Sequence, residues 1–70
     1  MTDYHINVFF SDEDGGYIAE IPDLPGCSAF GETPEVAVSE VVVAKKAWIE
    51  AAEVSGKPVP QPHYRSAPAS

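Results

Sequence analysis

The segment 14–37 constrains the fold more than any other part of this 70-residue chain. It reads D-G-G-Y-I-A-E-I-P-D-L-P-G-C-S-A-F-G-E-T-P-E-V-A. Gly15 and Gly16 can supply the positive φ that a hairpin turn needs, and the β-branched and aromatic residues that follow favour a strand. Pro22 and Pro25 remove backbone donors, so strand pairing must stop there. The segment therefore predicts a hairpin, a rigid corner, another short strand and the start of a helix.

The residues before and within this segment predict three strands. Residues 4–10 alternate with a period of two, and the polar loop 11–16 joins them to a second, antiparallel strand at 17–22. Residues 27–30 are long enough for a short third strand, which completes a meander. One side of strand 1 carries Tyr4, Ile6, Val8 and Phe10. The other side carries His5, Asn7 and Phe9.

A long helix is predicted over residues 35–55. Thr33 can accept the unpaired amides at its start, Pro34 fits its first position, and Gly56 can close its end. A core-facing stripe recurs at helical spacing and consists of Ala37, Val41, Ala44, Trp48 and Ala51, with Val38, Ile49 and Ala52 beside them. We expect this stripe to cover one face of the sheet, with Trp48 as a packing anchor or, alternatively, as a contact for a partner.

A second apolar set lies on another side of the same helix and consists of Val36, Val43, Ala47 and Val54. Together the two sets are wider than one small sheet can cover. The excess is either tolerated surface apolarity or a self-association surface. We favour self-association, as a homodimer or higher oligomer through the helix or an edge strand, because so small a core gains stability from a partner.

Charge is unevenly placed along the chain. The formal net charge is −7, and residues 1–44 hold nine of the eleven acidic residues with no Lys or Arg. A nucleic-acid-binding protein needs a basic surface, so direct nucleic-acid binding by this chain is not expected. The acidic half favours a basic partner, although acids also serve simply to keep a small protein soluble.

A single cysteine, Cys27, excludes an intramolecular disulfide and favours a reducing compartment. It follows a Pro-Gly corner without a nearby histidine, which is typical of a small packed residue rather than a nucleophile. No apolar run approaches the length of a membrane span and no signal peptide opens the chain, so we expect a cytoplasmic location and no membrane contact.

Four motifs resemble the HicB family, the antitoxins of HicA–HicB toxin–antitoxin pairs. They are G-G-Y-I-A-E-I-P-D-L-P-G-C, G-E-T-P-E-V-A, A-W-I-E-A-A and G-K-P-V-P-Q-P, and the resemblance covers about residues 3–62. It implies an α+β fold, the partial, degenerate ribonuclease-H-like β-β-β-α-(β) domain. It also implies a HicA-like toxin as partner, a small basic ribonuclease whose mRNA cleavage the domain blocks.

The C-terminal part departs from the family pattern. We expect a HicB-like domain at 1–62 and a tail at 63–70, without the DNA-binding segment that many members append. Residues 59–65 could add a fourth, edge strand beside strand 1, but Pro60 and Pro62 weaken that prediction. If they did pair there, His5 and His63 could approach each other. The alternative to a true antitoxin is a solitary oligomeric binding module of the same fold with no toxin partner.

No enzyme, metal or cofactor site is expected. A nuclease of this fold needs several carboxylates converging on paired ions, and the middle of strand 1 offers only Ile6, Asn7 and Val8. The loop at 12–15 lacks the spaced ligands of a calcium site. We predict instead an acidic partner-binding set, namely Asp12, Glu13, Asp14, Glu20 and Asp23. Of these, only Glu20 and Asp23 lie within the family motif.

Overall fold

A computed structural model describes residues 3–63. Three antiparallel strands, β1 (Asn7–Ser11), β2 (Gly16–Glu20) and β3 (Ser28–Gly31), form a sheet in the order β1-β2-β3, and one helix, α1 (Pro34–Val54), follows. The predicted α+β meander with a single long helix is therefore confirmed. Residues 57–63 form no strand, so the described part of 59–65 adds no fourth, edge strand, and residues 64 and 65 lie outside the described residues.

Strand boundaries are shorter than the alternation predicted. β1 begins at Asn7 rather than at residue 4, and β2 stops at Glu20 rather than at residue 22. The two shifts have one cause, because Asn7 pairs with Glu20 and no partner strand extends further. At the other end of the hairpin, Gly15 has φ 70, the left-handed conformation that the turn requires.

The register divides the sheet into two faces, since directly paired residues point the same way. Phe9, Ile18 and Phe30 form one row across the three strands. Ala19 and Ala29 belong to the opposite face, against which α1 packs, mainly over β3 and β2. We call the face that carries Phe9, Ile18 and Phe30 the open face, and these three residues the apolar row.

The core is small and draws half of its members from the proline corner. Ile21, Leu24 and Cys27 are buried there, and they join Ala19 of β2 with two helix residues, Ala37 and Val41. The corner is held by its own backbone: the Cys27 amide donates to the Leu24 carbonyl at 2.9 Å and the Ile21 amide to the Cys27 carbonyl at 3.0 Å. The corner is thus a folded part of the core, because its polar backbone is paired internally.

Gly31, the last residue of β3, is where the helix approaches the sheet most closely. A Cβ at this position would lie 2.2 Å from the backbone nitrogen of Ala37, far inside van der Waals contact. Because glycine has no side chain, the first turn of α1 can rest directly on the end of β3. The residue is required here for space rather than for an unusual φ, since only Gly15, Gly26 and Gly56 have positive φ among the described residues.

Both ends of α1 form as predicted. The Thr33 hydroxyl accepts a hydrogen bond from the Val36 amide at 3.1 Å. At the other end, the Lys57 amide donates to the Ala52 carbonyl at 2.8 Å and the Gly56 amide to the Glu53 carbonyl at 3.1 Å. These two bonds and the positive φ of Gly56 constitute a Schellman motif.

The core-facing stripe of the helix differs from prediction at its end. Ala37 and Val41 are buried and Trp48 is half-buried, but Ala51 is exposed and Ala52 is buried in its place. From Val41 to Trp48 the stripe moves seven residues, slightly less than two turns of 3.6 residues each. A step of four residues, slightly more than one turn, then keeps the next buried position, Ala52, on the same face of the helix. Trp48 packs against the core as predicted, and its indole N–H donates to the Pro25 carbonyl at 2.9 Å.

Candidate functional site

The hairpin loop brings together three of the predicted partner-binding residues, Asp12, Glu13 and Asp14. All three are exposed. The Ser11 hydroxyl donates to Oδ2 of Asp14 at 2.9 Å, and the Gly15 amide donates to the Ser11 carbonyl at 2.9 Å. These bonds close the loop on itself, so its carboxylates project as a compact negative group at one end of the sheet. We call them the loop acids.

Glu20 stands at the opposite end of β2 and points to the open face, paired with Asn7 on one side and Ser28 on the other. It is half-buried, and its Oε1 accepts a hydrogen bond from the side-chain Nδ2 of Asn7 at 3.5 Å. The Asn7 amide oxygen is in turn 2.7 Å from Nε2 of His5. Four residue steps of about 3.3 Å separate Gly16 from Glu20, so Glu20 lies about 13 Å along the strand from the base of the hairpin loop, and the loop acids are at the opposite end of the open face.

Asp23 is not brought together with the other four acids. It is buried in the proline corner, and its Oδ2 accepts a hydrogen bond from the His63 backbone amide at 3.1 Å. The His63 ring lies 3.4 Å from Oδ1. Asp23 therefore binds the segment after the helix to the corner. The same segment has a second attachment, because the Tyr4 hydroxyl donates a hydrogen bond to the Pro60 carbonyl. The two histidines have separate partners, Asn7 for His5 and Asp23 for His63.

The sheet and hairpin form a negative surface. Residues 3–44 contain no Lys or Arg, and the first lysine, Lys45, lies on α1 and pairs with Asp3 at 3.3 Å. A hydrogen bond from the Tyr4 amide, reinforced by Lys45, holds the pKa of Asp3 below its ordinary value. Within residues 3–63, no group of three or more His, Cys, Asp or Glu side chains is placed to hold a metal ion.

Cys27 is only 4% exposed, and burial raises the pKa of its thiol, against a smaller opposing effect of the Lys45 charge. The thiolate, which is the nucleophilic form, is therefore scarcer in the folded state than in the unfolded state.

We expect Cys27 to react slowly with 5,5′-dithiobis(2-nitrobenzoate) at pH 8 in the folded protein, and quickly in urea. Burial excludes the reagent and the raised pKa suppresses the thiolate. Folding favours the neutral form of the thiol. The stability that Cys27 contributes in this way is therefore fully present below the pKa of the thiol in the unfolded state, and it is lost as the pH rises through the pKa in the folded state. Absorbance at 412 nm follows the reaction, and equal rates in both states would contradict the burial of this residue.

The predicted self-association set lies along the outer side of α1. Val36, Val43 and Val54 are 45%, 64% and 89% exposed, and Ala47 is exposed as well. At 100° per residue the four positions fall within about 40° of one another, so they form a straight ridge. Two glutamates, Glu40 and Glu50, flank the same line. The described helix has no stretch long and apolar enough to cross a membrane.

The apolar row was not among the predicted site residues. Phe9 and Phe30 are 47% and 43% exposed, although aromatic side chains usually bury most of their surface. A signal was present in the sequence, because strand 1 places an aromatic residue on each side, Phe9 on one and Phe10 on the other, while the chain offers one helix to cover the sheet. Alternation alone does not say which of the two sides that helix covers.

Comparison with known proteins agrees with this architecture. Residues 4–67 match the family model described as "HicB_like antitoxin of bacterial toxin-antitoxin system". UPF0150 protein ssl0259 of Synechocystis sp. is 40% identical over 53 residues, which are 76% of this chain and 73% of the relative. UPF0150 protein Ta0767 of Thermoplasma acidophilum is 33% identical over 54 residues, 77% and 78% of the two chains. No solved structure matches significantly. A family match over nearly the whole described fold, joined to these relatives, places the chain in the family of HicB-like antitoxins of bacterial toxin–antitoxin systems.

Proposed function

We propose that this protein binds and neutralises a small, basic, HicA-like toxin that cleaves mRNA, and that it catalyses no reaction itself. Membership of an antitoxin family implies a toxin partner. A basic partner is supported by the distribution of charge, because residues 1–44 hold nine acidic residues and no Lys or Arg. A toxin that cleaves mRNA acts where mRNA is translated, so we place the protein in the cytoplasm.

The proposed mechanism is occlusion of the surface with which the toxin holds RNA. An RNA-binding nuclease must present lysines and arginines to phosphates. The loop acids and Glu20 offer carboxylates to these lysines and arginines at the two ends of β2, a strand about 13 Å long. Opposite charge accelerates encounter and fixes orientation, whereas contacts that exclude water supply most of the affinity. Asp23 contributes indirectly in this scheme, by holding the corner and His63 in place.

The test is coexpression with the product of the neighbouring gene, followed by affinity purification and an RNA-cleavage assay. We expect a stable complex, suppressed cleavage and relief of growth arrest. Joint replacement of the loop acids, Asp12→Asn, Glu13→Gln and Asp14→Asn, should lower the association rate about 10-fold at low ionic strength. The control is Glu53→Gln on exposed helix surface, which should leave the rate unchanged. Growth arrest by the toxin that coexpression does not relieve would refute the proposal.

We also propose that the protein self-associates through the helix ridge of Val36, Val43, Ala47 and Val54. This is the assembly that the alternative function, a solitary oligomeric binding module, would share. Exposure of Val43 and Val54 at 64% and 89% supports it. Glu40 and Glu50 oppose the pairing of two such ridges by placing like charges along the seam.

Sedimentation equilibrium tests the assembly. We expect a concentration-dependent dimer that Val43→Lys shifts toward monomer and that Glu40→Gln with Glu50→Gln strengthens. Lys46→Gln, at an exposed position beside the ridge, serves as the control for a change of charge alone. A monomer at every concentration, unaffected by removal of the two glutamates, would refute it. A dimer that binds no toxin would favour the solitary module over the antitoxin.

A further inference from the structure

We infer that the open face of the sheet, with Phe9, Ile18 and Phe30 at its centre, is the surface on which the basic partner docks. This inference rests on the proposed function and goes further, because it assigns the binding energy to an apolar row and to one side of the molecule. The outer side of the helix, which lies on the opposite side of the molecule, is thereby left out of the toxin interface.

The apolar row is a contiguous surface rather than a set of separate exposed side chains. Phe9 pairs with Ile18 and Ile18 with Phe30, so the three are direct cross-strand neighbours. With strands about 4.8 Å apart, the row extends about 10 Å across the sheet. The Phe30 ring lies over Gly16, where an added Cβ would meet its Cζ at 2.5 Å. Gly16 is buried as a result, and the ring is supported from below.

None of the elements described between residues 3 and 63 covers this row. The helix packs on the other face, through Ala19, Ala37 and Val41. The segment after the helix is fastened at Tyr4 and Asp23, which lie beyond the Glu20 end of the strands. Two half-exposed phenylalanines on the middle of a sheet are typical of a protein-binding surface.

Charge decides what kind of partner fits. Glu20 borders the row at one end and the loop acids lie at the other, and no basic side chain belongs to any of the three strands. A second copy of this chain would bring the same acids to the contact, at a net charge of −7 for each chain. A partner whose surface has apolar side chains surrounded by lysines and arginines would complement this face, because its apolar side chains would pack on the row and its cations would pair with Glu20 and the loop acids. Its cations can also lie against the exposed ring faces of Phe9 and Phe30.

The experiment measures the affinity of purified variants for the neighbouring HicA-like toxin, inactivated by substitution at its catalytic residue. Phe9→Ser and Phe30→Ser are compared with Phe10→Ser, which removes a phenylalanine of similar exposure from the other face of the same sheet. Circular dichroism and urea unfolding establish that each variant is folded. We expect Phe9→Ser and Phe30→Ser each to weaken binding at least 10-fold, as truncation of a central apolar contact does, and Phe10→Ser to change it less than 2-fold.

The outcomes separate this inference from the proposed function. Tight binding by the wild type that folded Phe9→Ser and Phe30→Ser both retain would overturn the open-face assignment and leave the antitoxin function standing. No binding by the wild type would overturn both. If Phe9→Ser instead abolished a dimer of this chain and left toxin affinity unchanged, the occupant would be a second copy and the inference would be wrong. Phe9→Ser keeps the test decisive if Phe30→Ser fails to fold.

Discussion

Replacement of Gly31 by alanine is expected to destabilise the folded protein by about 3 kcal/mol or more. The new methyl group would lie 2.2 Å from the Ala37 nitrogen and 2.7 Å from the Val36 carbonyl carbon. These are backbone atoms, so no side chain can rotate away, and the first turn of α1 must move off the sheet. A 70-residue domain has a total stability of about 4–10 kcal/mol, so the change removes a large fraction of it.

Urea unfolding followed by circular dichroism measures this loss. Ser28→Ala, at the exposed first residue of the same strand, is the matched control and should fall within about 0.5 kcal/mol of the wild type. A stability for Gly31→Ala equal to that of the control would mean that the helix does not approach β3 as closely as described.

Replacement of Leu24 by alanine is expected to cost about 2–5 kcal/mol. Leu24 is completely buried, and Ile21, Leu24 and Val41 are the largest side chains buried to this extent. A core with so few large members cannot refill the space, because its other buried residues, such as Ala19 and Ala37, are small. The cavity term therefore adds to the lost transfer free energy.

The comparison for Leu24→Ala is Val54→Ala, since Val54 is 89% exposed and should change stability by less than about 0.5 kcal/mol. Both variants are measured by urea midpoint at constant slope. A loss below 1 kcal/mol for Leu24→Ala would show that the proline corner is a surface loop and not a part of the core.

The importance of Leu24 also bears on the proposed toxin contact. The corner joins β2 to β3, and so it sets the register that aligns Phe30 with Ile18. Asp23, beside Leu24, accepts the His63 amide and ties the chain beyond the helix to the same corner. The Y-I-A-E-I-P-D-L-P-G-C motif thus contributes to the proposed site chiefly by building the scaffold, and it contributes Ile18 and Glu20 to the open face itself.

Several features were predictable because their causes lie within a few residues of sequence. The turn at Gly15, the Thr33 cap and the Gly56 closure follow from backbone sterics and short-range hydrogen bonds, and each formed as expected. Alternation in strand 1 assigned Phe9 and Asn7 to one side and Val8 to the other, in agreement with the observed register. The same alternation predicted a strand that is too long, because it does not show where the partner strand ends, and the partner strand limits the length of the paired region.

The sequence by itself determined the local elements, their order and the concentration of negative charge on the strand half of the protein. Only the tertiary structure decided that Asp23 is buried against His63, that Gly31 is the contact point of helix and sheet, and that Phe9 and Phe30 remain exposed. The physical reason is that burial depends on which elements meet in space. One helix can cover only one face of a sheet, and the choice of face results from packing between residues distant in the chain.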